Sequence, residues 1–241
     1  MWDSVVVKML VENTFVTLYM TLVSTIFAYL LGLPMGIILV VTAKDGLRPN
    51  KVIYKIFDII VNIVRSVPFL ILLILVIPLT RAIVGKAYGP TATIVPLVLA
   101  AAPFIARMVE SSLLEVDKGV IEAAQSMGAS LWTIIVKVML GEARTSLTVG
   151  ATIVLGTVLG YSAMVGAVGG GGLGDIAIQY GYYRYQADIM WVTVILLVLL
   201  VQVMQFAGTK LSKKLDSITE KNWQMLPLRV EFQGAHVICA E

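Results

Sequence analysis

The sequence predicts an all-α protein that crosses a membrane several times, and three observations carry that reading. Apolar residues fill 59% of the 241 positions and charged residues only 14%, against about 45–50% and about 25% in average soluble domains. The apolar residues gather into five segments long enough for a bilayer, which a helix crosses in roughly 20 residues. Lys and Arg fall unevenly on the connections between those segments, as they do in polytopic membrane proteins.

The elements follow in chain order. The opening stretch MWDSVVVKMLVEN lacks a compact basic region, a short apolar core and a small-residue cleavage site, so it reads as an uncleaved external segment, residues 1–13. The first span covers residues 14–43 and is long enough to tilt or to continue past the membrane. The second covers 56–80, the third 91–114, the fourth 146–168 and the fifth 189–207. Pro34, Pro68, Pro78, Pro96 and Pro103 lie in or near these spans, where neighbouring helices satisfy the backbone groups that proline frees. Residues 14–208 thus form a membrane domain of five transmembrane helices, with a cytoplasmic loop at 115–143 and a cytoplasmic tail at 209–241.

Orientation follows from charge. Lys44, Arg48, Lys51 and Lys55, then Lys118, Lys137 and Arg144, then five further Lys and Arg after Ala207, occupy one set of connections. Lys8, Arg81, Lys86 and Arg184 occupy the other. The rich side is cytoplasmic by the positive-inside rule. An N-terminus outside and a C-terminus inside agree with an odd number of spans.

Several function classes are excluded. The net charge of +3 is small and no long basic run is available to follow a nucleic acid backbone. Cys239 is the single cysteine and His236 the single histidine, so neither a disulfide nor a metal-ligand cluster is suggested. No Ser-His-Asp set or carboxylate pair reads as catalytic. No internal repeat is apparent, which weighs against a secondary transporter.

The polar stretch EVDKGVIEAAQSMGASLWTIIVKVMLGEA, residues 115–143, predicts two short helices. Asp117 caps the first and Gly128 ends it, because glycine accepts the left-handed backbone of a helix terminus. Ser130 caps the second. Leu131, Ile134, Ile135, Val138 and Met139 recur at helical spacing and make one apolar face. That pattern suits a helix at the inner membrane surface.

Glu122, Ala123, Ala124 and Gly128 resemble the E-A-A-x-x-x-G signature of permease subunits of ATP-binding-cassette importers, which continues after nine residues with I-x-L-P. Leu140 matches, Val138 replaces Ile, and Gly141 stands where that family has Pro. RSVPFLILL (65–73), IPLTRAIVG (77–85), IVPLVLAAAPFIARMVE (94–110) and GYSAMVGAVGGGGLGD (160–175) are similar, in that order, to the methionine-type members of the family. The resemblance covers about residues 10–215. It implies the type I importer permease fold and a pore made with a second copy of the chain. It also implies two cytoplasmic ATPase subunits docked on Glu122–Gly128 and an extracytoplasmic methionine-binding receptor, all in a bacterial inner membrane. The chain has no G-x-x-x-x-G-K-[ST] phosphate loop. It is therefore read as a transport subunit without cofactors of its own and not an enzyme, with ATP and Mg bound by the partner.

Pathway residues are fewer. The resemblance places Tyr161, Ser162, Ala163 and Met164 on the pore axis near the external gate, where two flexible Met164 side chains would meet. Gly150, Gly156, Gly160 and Gly166 in the same span suit close helix packing. Charge inside a span is expensive and usually functional. Arg107 and Glu110 are spaced to pair on one helix. Arg65, with Asn62 and Ser66 nearby, either sits at the inner interface close to Asp58 or lines the pathway. Gly169, Gly171 and Gly174 satisfy G-x-G-x-x-G, yet they follow a membrane span on the outer face, so a nucleotide-binding reading fails its context. The run instead lets the chain turn tightly and pack on a receptor or a neighbouring span. In the tail, LRVEF alternates like a strand. Three rivals stay open: an importer permease for another amino acid or small solute, an ion-coupled secondary transporter acting alone, and a membrane assembly factor without transport, against which the EAA-like loop argues.

Overall fold

Ser4 opens a helix that runs unbroken to Thr42 (α1, Ser4–Thr42). The structure, a computed structural model, describes residues 4–224. At 1.5 Å per residue α1 is about 58 Å long, nearly twice the ~30 Å hydrocarbon core, so the chain enters the first span from a helix already formed. The following turn is tied by Arg48 N–H to the Val41 carbonyl at 2.9 Å and Asn50 N–H to the Thr42 carbonyl at 3.0 Å. Asn50 then caps α2 (Lys51–Ser66), its side-chain oxygen accepting from Val52 and Ile53 N–H.

The second span is not one straight helix. α2 ends at Ser66, and α3 (Phe69–Leu75) leaves it at a bend of 104°. The cause is local. Pro68 disfavours the helical region for the residue before it, and Val67 is extended at φ −80, ψ 125. α4 (Ile77–Val84) completes the segment and stops at left-handed Gly85.

α5 (Pro90–Leu114) is the centre of the molecule. In its spanning window 61% of residues are buried, against 6% in α11 (Ala187–Gln224), which is therefore peripheral. α1 approaches α5 backbone to backbone. A Cβ on Gly32 would lie 2.6 Å from the Ala102 carbonyl oxygen, and one on Gly36 2.7 Å from that of Ala106. Small residues four apart on both helices allow this contact in lipid, where close packing rather than water drives association. Gly32-x-x-x-Gly36 is visible in the sequence and is the missed signal for the main helix pair.

After α5 come α6 (Lys118–Ser126), α7 (Leu131–Thr133), a π-helical stretch (Ile134–Met139) and α8 (Leu140–Glu142). α9 (Arg144–Val165) then recrosses the bundle and packs on α5, α1 and α11. A turn rich in glycine leads to α10 (Gly172–Ile176), a second π-helical stretch (Ala177–Tyr182) and α11. Four helices are long and apolar enough to cross a membrane, or five if the bent pair α2–α3 counts as one span. Every element among the described residues is helical. One core joins α1, α5 and α9 and extends to Ala124, Ile134 and Met139 of the 115–143 loop. The LRVEF motif, His236 and Cys239 lie outside the described residues.

Candidate functional site: coupling loop and pathway residues

The 115–143 loop is built as its residues dictate. The Asp117 carboxylate accepts from Gly119 N–H at 2.6 Å and starts α6. At the other end Gly128 N–H reaches the Gln125 carbonyl at 2.9 Å and Ala129 N–H the Ala124 carbonyl at 3.1 Å. This pair of bonds, with Gly128 at φ +75, is a Schellman termination that needs a left-handed residue. Ser130 accepts from Thr133 N–H at 3.2 Å and opens α7.

The loop has an anchored side and an open side. Ala124 is buried in the main core, while Glu122, Ala123 and Met127 are exposed, Met127 at 81%. Ile134, Ile135 and Met139 are buried, so the apolar face expected at the membrane surface is turned into the protein instead. Trp132, 74% exposed, points away from it. Gly141 occupies a helical turn with open space where a Cβ would be. The backbone breaks two residues later at Ala143, and α9 begins at Arg144.

The charged residues of the spans form one cluster and one outlier. Arg107 on α5 donates to Glu110 at 2.6 Å, to the Asn62 side-chain oxygen at 3.0 Å and to Asp58. The Asn62 amide donates back to Asp58 at 3.1 Å. Asp58 and Asn62 belong to α2, so the cluster clasps α2 to α5. Asp58 thus serves Arg107 and not Arg65. Arg65 is exposed at the end of α2, beside the bend, with no polar partner among the described residues. The Ser66 hydroxyl donates to the Asn62 carbonyl at 2.7 Å.

The GYSAM segment closes α9. Tyr161 stacks on Phe69 of α3, ring centroids 4.5 Å apart. Buried Ser162 donates to the Leu159 carbonyl at 2.7 Å. Met164 is 51% exposed. Ala163 backs onto the glycine turn, where a Cβ on Gly174 would stand 2.2 Å from its carbonyl oxygen. Of the four span glycines, Gly150, Gly156 and Gly166 face neighbouring atoms, whereas Gly160 faces open space.

The glycine run hooks back into the bundle. Gly171 and Gly172 take φ +84 and +82 and reverse the chain. The first two N–H groups of α10 then meet α1: Gly172 N–H donates to the Asn13 side-chain oxygen at 3.1 Å, and Leu173 N–H to the Thr17 hydroxyl at 2.8 Å. Within this chain the run therefore packs on a neighbouring span. Asn13 and Thr17 are the residues that sequence reasoning missed; their only signal is polar spacing i, i+4 on an apolar helix. Burial holds Asp175 of α10 above the usual carboxylate range, opposed by a hydrogen bond with Gln179. One of its carboxyl oxygens is buried without a partner among the described residues.

The profile of the family described as binding-protein-dependent transport system inner membrane component matches residues 28–217. The chain is 48% identical over 215 residues to the probable D-methionine transport system permease protein MetI of Vibrio cholerae, covering 89% of this chain and 96% of that one. It is 43% identical over 179 residues to the methionine import system permease protein MetP of Bacillus subtilis, covering 74% of this chain and 81% of that one. Among solved structures, an inward-facing conformation of the MetNI methionine ABC transporter superposes with a TM-score of 0.88 at 48% identity, over 89% of this chain and 99% of that one.

Proposed function

We propose a role that proceeds from one premise: the chain belongs to the binding-protein-dependent transport system inner membrane components. It is the permease subunit of an ATP-driven importer that carries methionine across the inner membrane. The observation that carries this reading is the likeness to methionine permeases across nearly the whole of their length. Catalysis of ATP hydrolysis belongs to the partner subunits. Two copies of the chain form the pathway, two ATPase subunits dock on the loops, and a binding protein delivers methionine from outside. The N-terminus is outside and the C-terminus cytoplasmic.

Mechanism follows from how the loop is held. α6 presents Glu122, Ala123 and the Gly128 turn outward while Ala124 fixes its other face in the core. A push on the exposed face therefore reaches α5 and α9 through packed side chains, with little slack in a close-packed interior. ATP-driven closure of the partner subunits moves this helix and opens the pathway outward; hydrolysis returns it. Met164, with Tyr161, Ser162 and Ala163, closes the external gate, and Arg65 with Asn62 and Ser66 gives the pathway its polar edge.

Ala123→Trp tests the coupling. It adds bulk to the exposed face and leaves Ala124 in place. With the partner ATPase and binding protein in proteoliposomes, hydrolysis should continue while methionine uptake is lost. Normal uptake by that variant would overturn the assignment of the loop.

A further inference from the structure

A cavity of about 960 Å³ lies where α1 ends, α2 begins and α6 begins. Lys44, Lys51, Lys55 and Lys118 line it. None of these four ammonium groups has a hydrogen-bond or ion-pair partner among the described residues. Three carboxylates share the lining, but Asp58 is taken by Arg107, which leaves Asp45 and Glu122 against four lysines.

The placement runs against helix electrostatics. A helix N-terminus carries roughly half a positive charge and favours Asp or Glu in its first turn. Lys51 is the first residue of α2, which has no acidic residue in its cap or first turn, and Lys118 is the first of α6, where the Asp117 cap supplies the one carboxylate. Charges set where the helix itself repels them are a local conflict that an anion would resolve. The floor of the cavity is of a different kind: Val40, Leu113, Val116 and Met139 are buried and apolar.

A cationic rim over an apolar floor matches one ligand chemistry. We propose that this cavity binds an anionic phospholipid of the inner leaflet, its phosphate between the lysines and its acyl chains on the floor. Anionic lipids dominate the charge of the cytoplasmic membrane surface, and basic pockets there hold their headgroups. Inorganic phosphate would use the rim and leave the floor uncovered. The choice of leaflet rests on the orientation proposed above; the binding itself does not.

The full chain in neutral detergent, titrated with phosphatidylglycerol and followed by native mass spectrometry, tests this. Phosphatidylglycerol should bind and phosphatidylcholine should not. Lys51→Gln with Lys118→Gln should weaken binding about 30-fold, from roughly one surface-charge increment per lysine. Lys210→Gln with Lys214→Gln, on α11, should leave it unchanged. The thermal midpoint of the first variant without lipid should equal or exceed that of the parent, because two cations leave helix N-termini. Hydrogen exchange on the parent should slow at residues 44–55 and 118–122 when phosphatidylglycerol is added. Equal weakening by the α11 variant, or unchanged exchange, would overturn the site. Displacement by millimolar inorganic phosphate would reassign it to a soluble anion, and displacement by the purified ATPase to a protein surface. A failure of methionine uptake leaves these readouts intact, and their failure leaves the importer reading intact.

Discussion

Single residues hold the glycine hook in place. Thr17 both donates to the Asn13 carbonyl at 2.9 Å and accepts from Leu173, a fully buried residue. Thr17→Val keeps the shape and orphans that N–H, a loss of about 1–3 kcal/mol. A lower thermal midpoint in detergent, restored by Thr17→Ser, is expected; an unchanged midpoint for Thr17→Val would remove the cap from the account. Asp175 gives a pH-dependent counterpart. Its folded pKa is raised from 3.8, so the native state holds the proton more tightly than the unfolded chain. Stability from the neutral form is present below 3.8 and lost as pH rises through the folded value. Asp175→Asn should therefore raise the midpoint at neutral pH, with the gain fading as pH falls toward 4. A gain independent of pH would point to packing instead. At this scale the sequence was most legible where a residue acts on its near neighbours. Asp117, Gly128 and Ser130 do what their types dictate, whereas Asn13 and Thr17 act on backbone more than 150 positions away.

Elements show where local reasoning stopped. Pro68 is plain in the sequence, yet the second span reads as continuous because apolar residues predominate on both sides of Asn62, Arg65, Ser66 and the proline. Geometry decides there: the residue before proline leaves the helix, and the axis turns. α2 then has only Val61 fully buried among its residues, in a small apolar cluster with Leu39 and Ala106, and the Arg107 cluster adds its polar attachment to α5. Arg107→Met would strand Glu110, 12% exposed, and Asp58. The expected loss is about 3 kcal/mol, the low end for a broken buried pair because Asp58 is partly solvated. Adding Asp58→Asn and Glu110→Gln to Arg107→Met should recover most of it. A triple variant as unstable as the single one would mean that packing, not charge, holds α2. The Arg107–Glu110 pair was legible from i, i+3 spacing. Its extension to Asp58 and Asn62 was not, since no spacing relates α5 to α2.

Across the whole molecule, composition carries the all-α membrane class and four of the five expected spans as single long helices, and the proposed orientation follows from the lysines. Reagent access measures that orientation directly. In a Cys239→Ser background, Lys86→Cys should react with a membrane-impermeant maleimide added to intact cells, and Gln125→Cys only after the membrane is opened. The reverse pattern would invert the topology and with it the assignment of the loop to the ATPase side. What the pattern of spans leaves invisible is which of them lies at the centre. α5 holds that position through two rows of small residues meeting at Gly32, Gly36, Ala102 and Ala106. The fold that results is that of the MetNI permease, matched over 89% of the chain.

The cap on α10 also sets a clock. Leu173 follows Thr17 by 156 positions, which a ribosome covers in roughly 8–30 s at about 5–20 residues per second. The first helix is therefore among the earliest parts to enter the bilayer and among the last to be completed. Its threonine hydroxyls donate to carbonyls one turn back, at Thr17, Thr21 and Thr25, bonds that need no later segment. A nascent chain halted just after Val165 would already contain four of the crossings and still lack the segment that closes over the first. Closure of this end of the bundle thus waits for two segments made more than 150 residues apart.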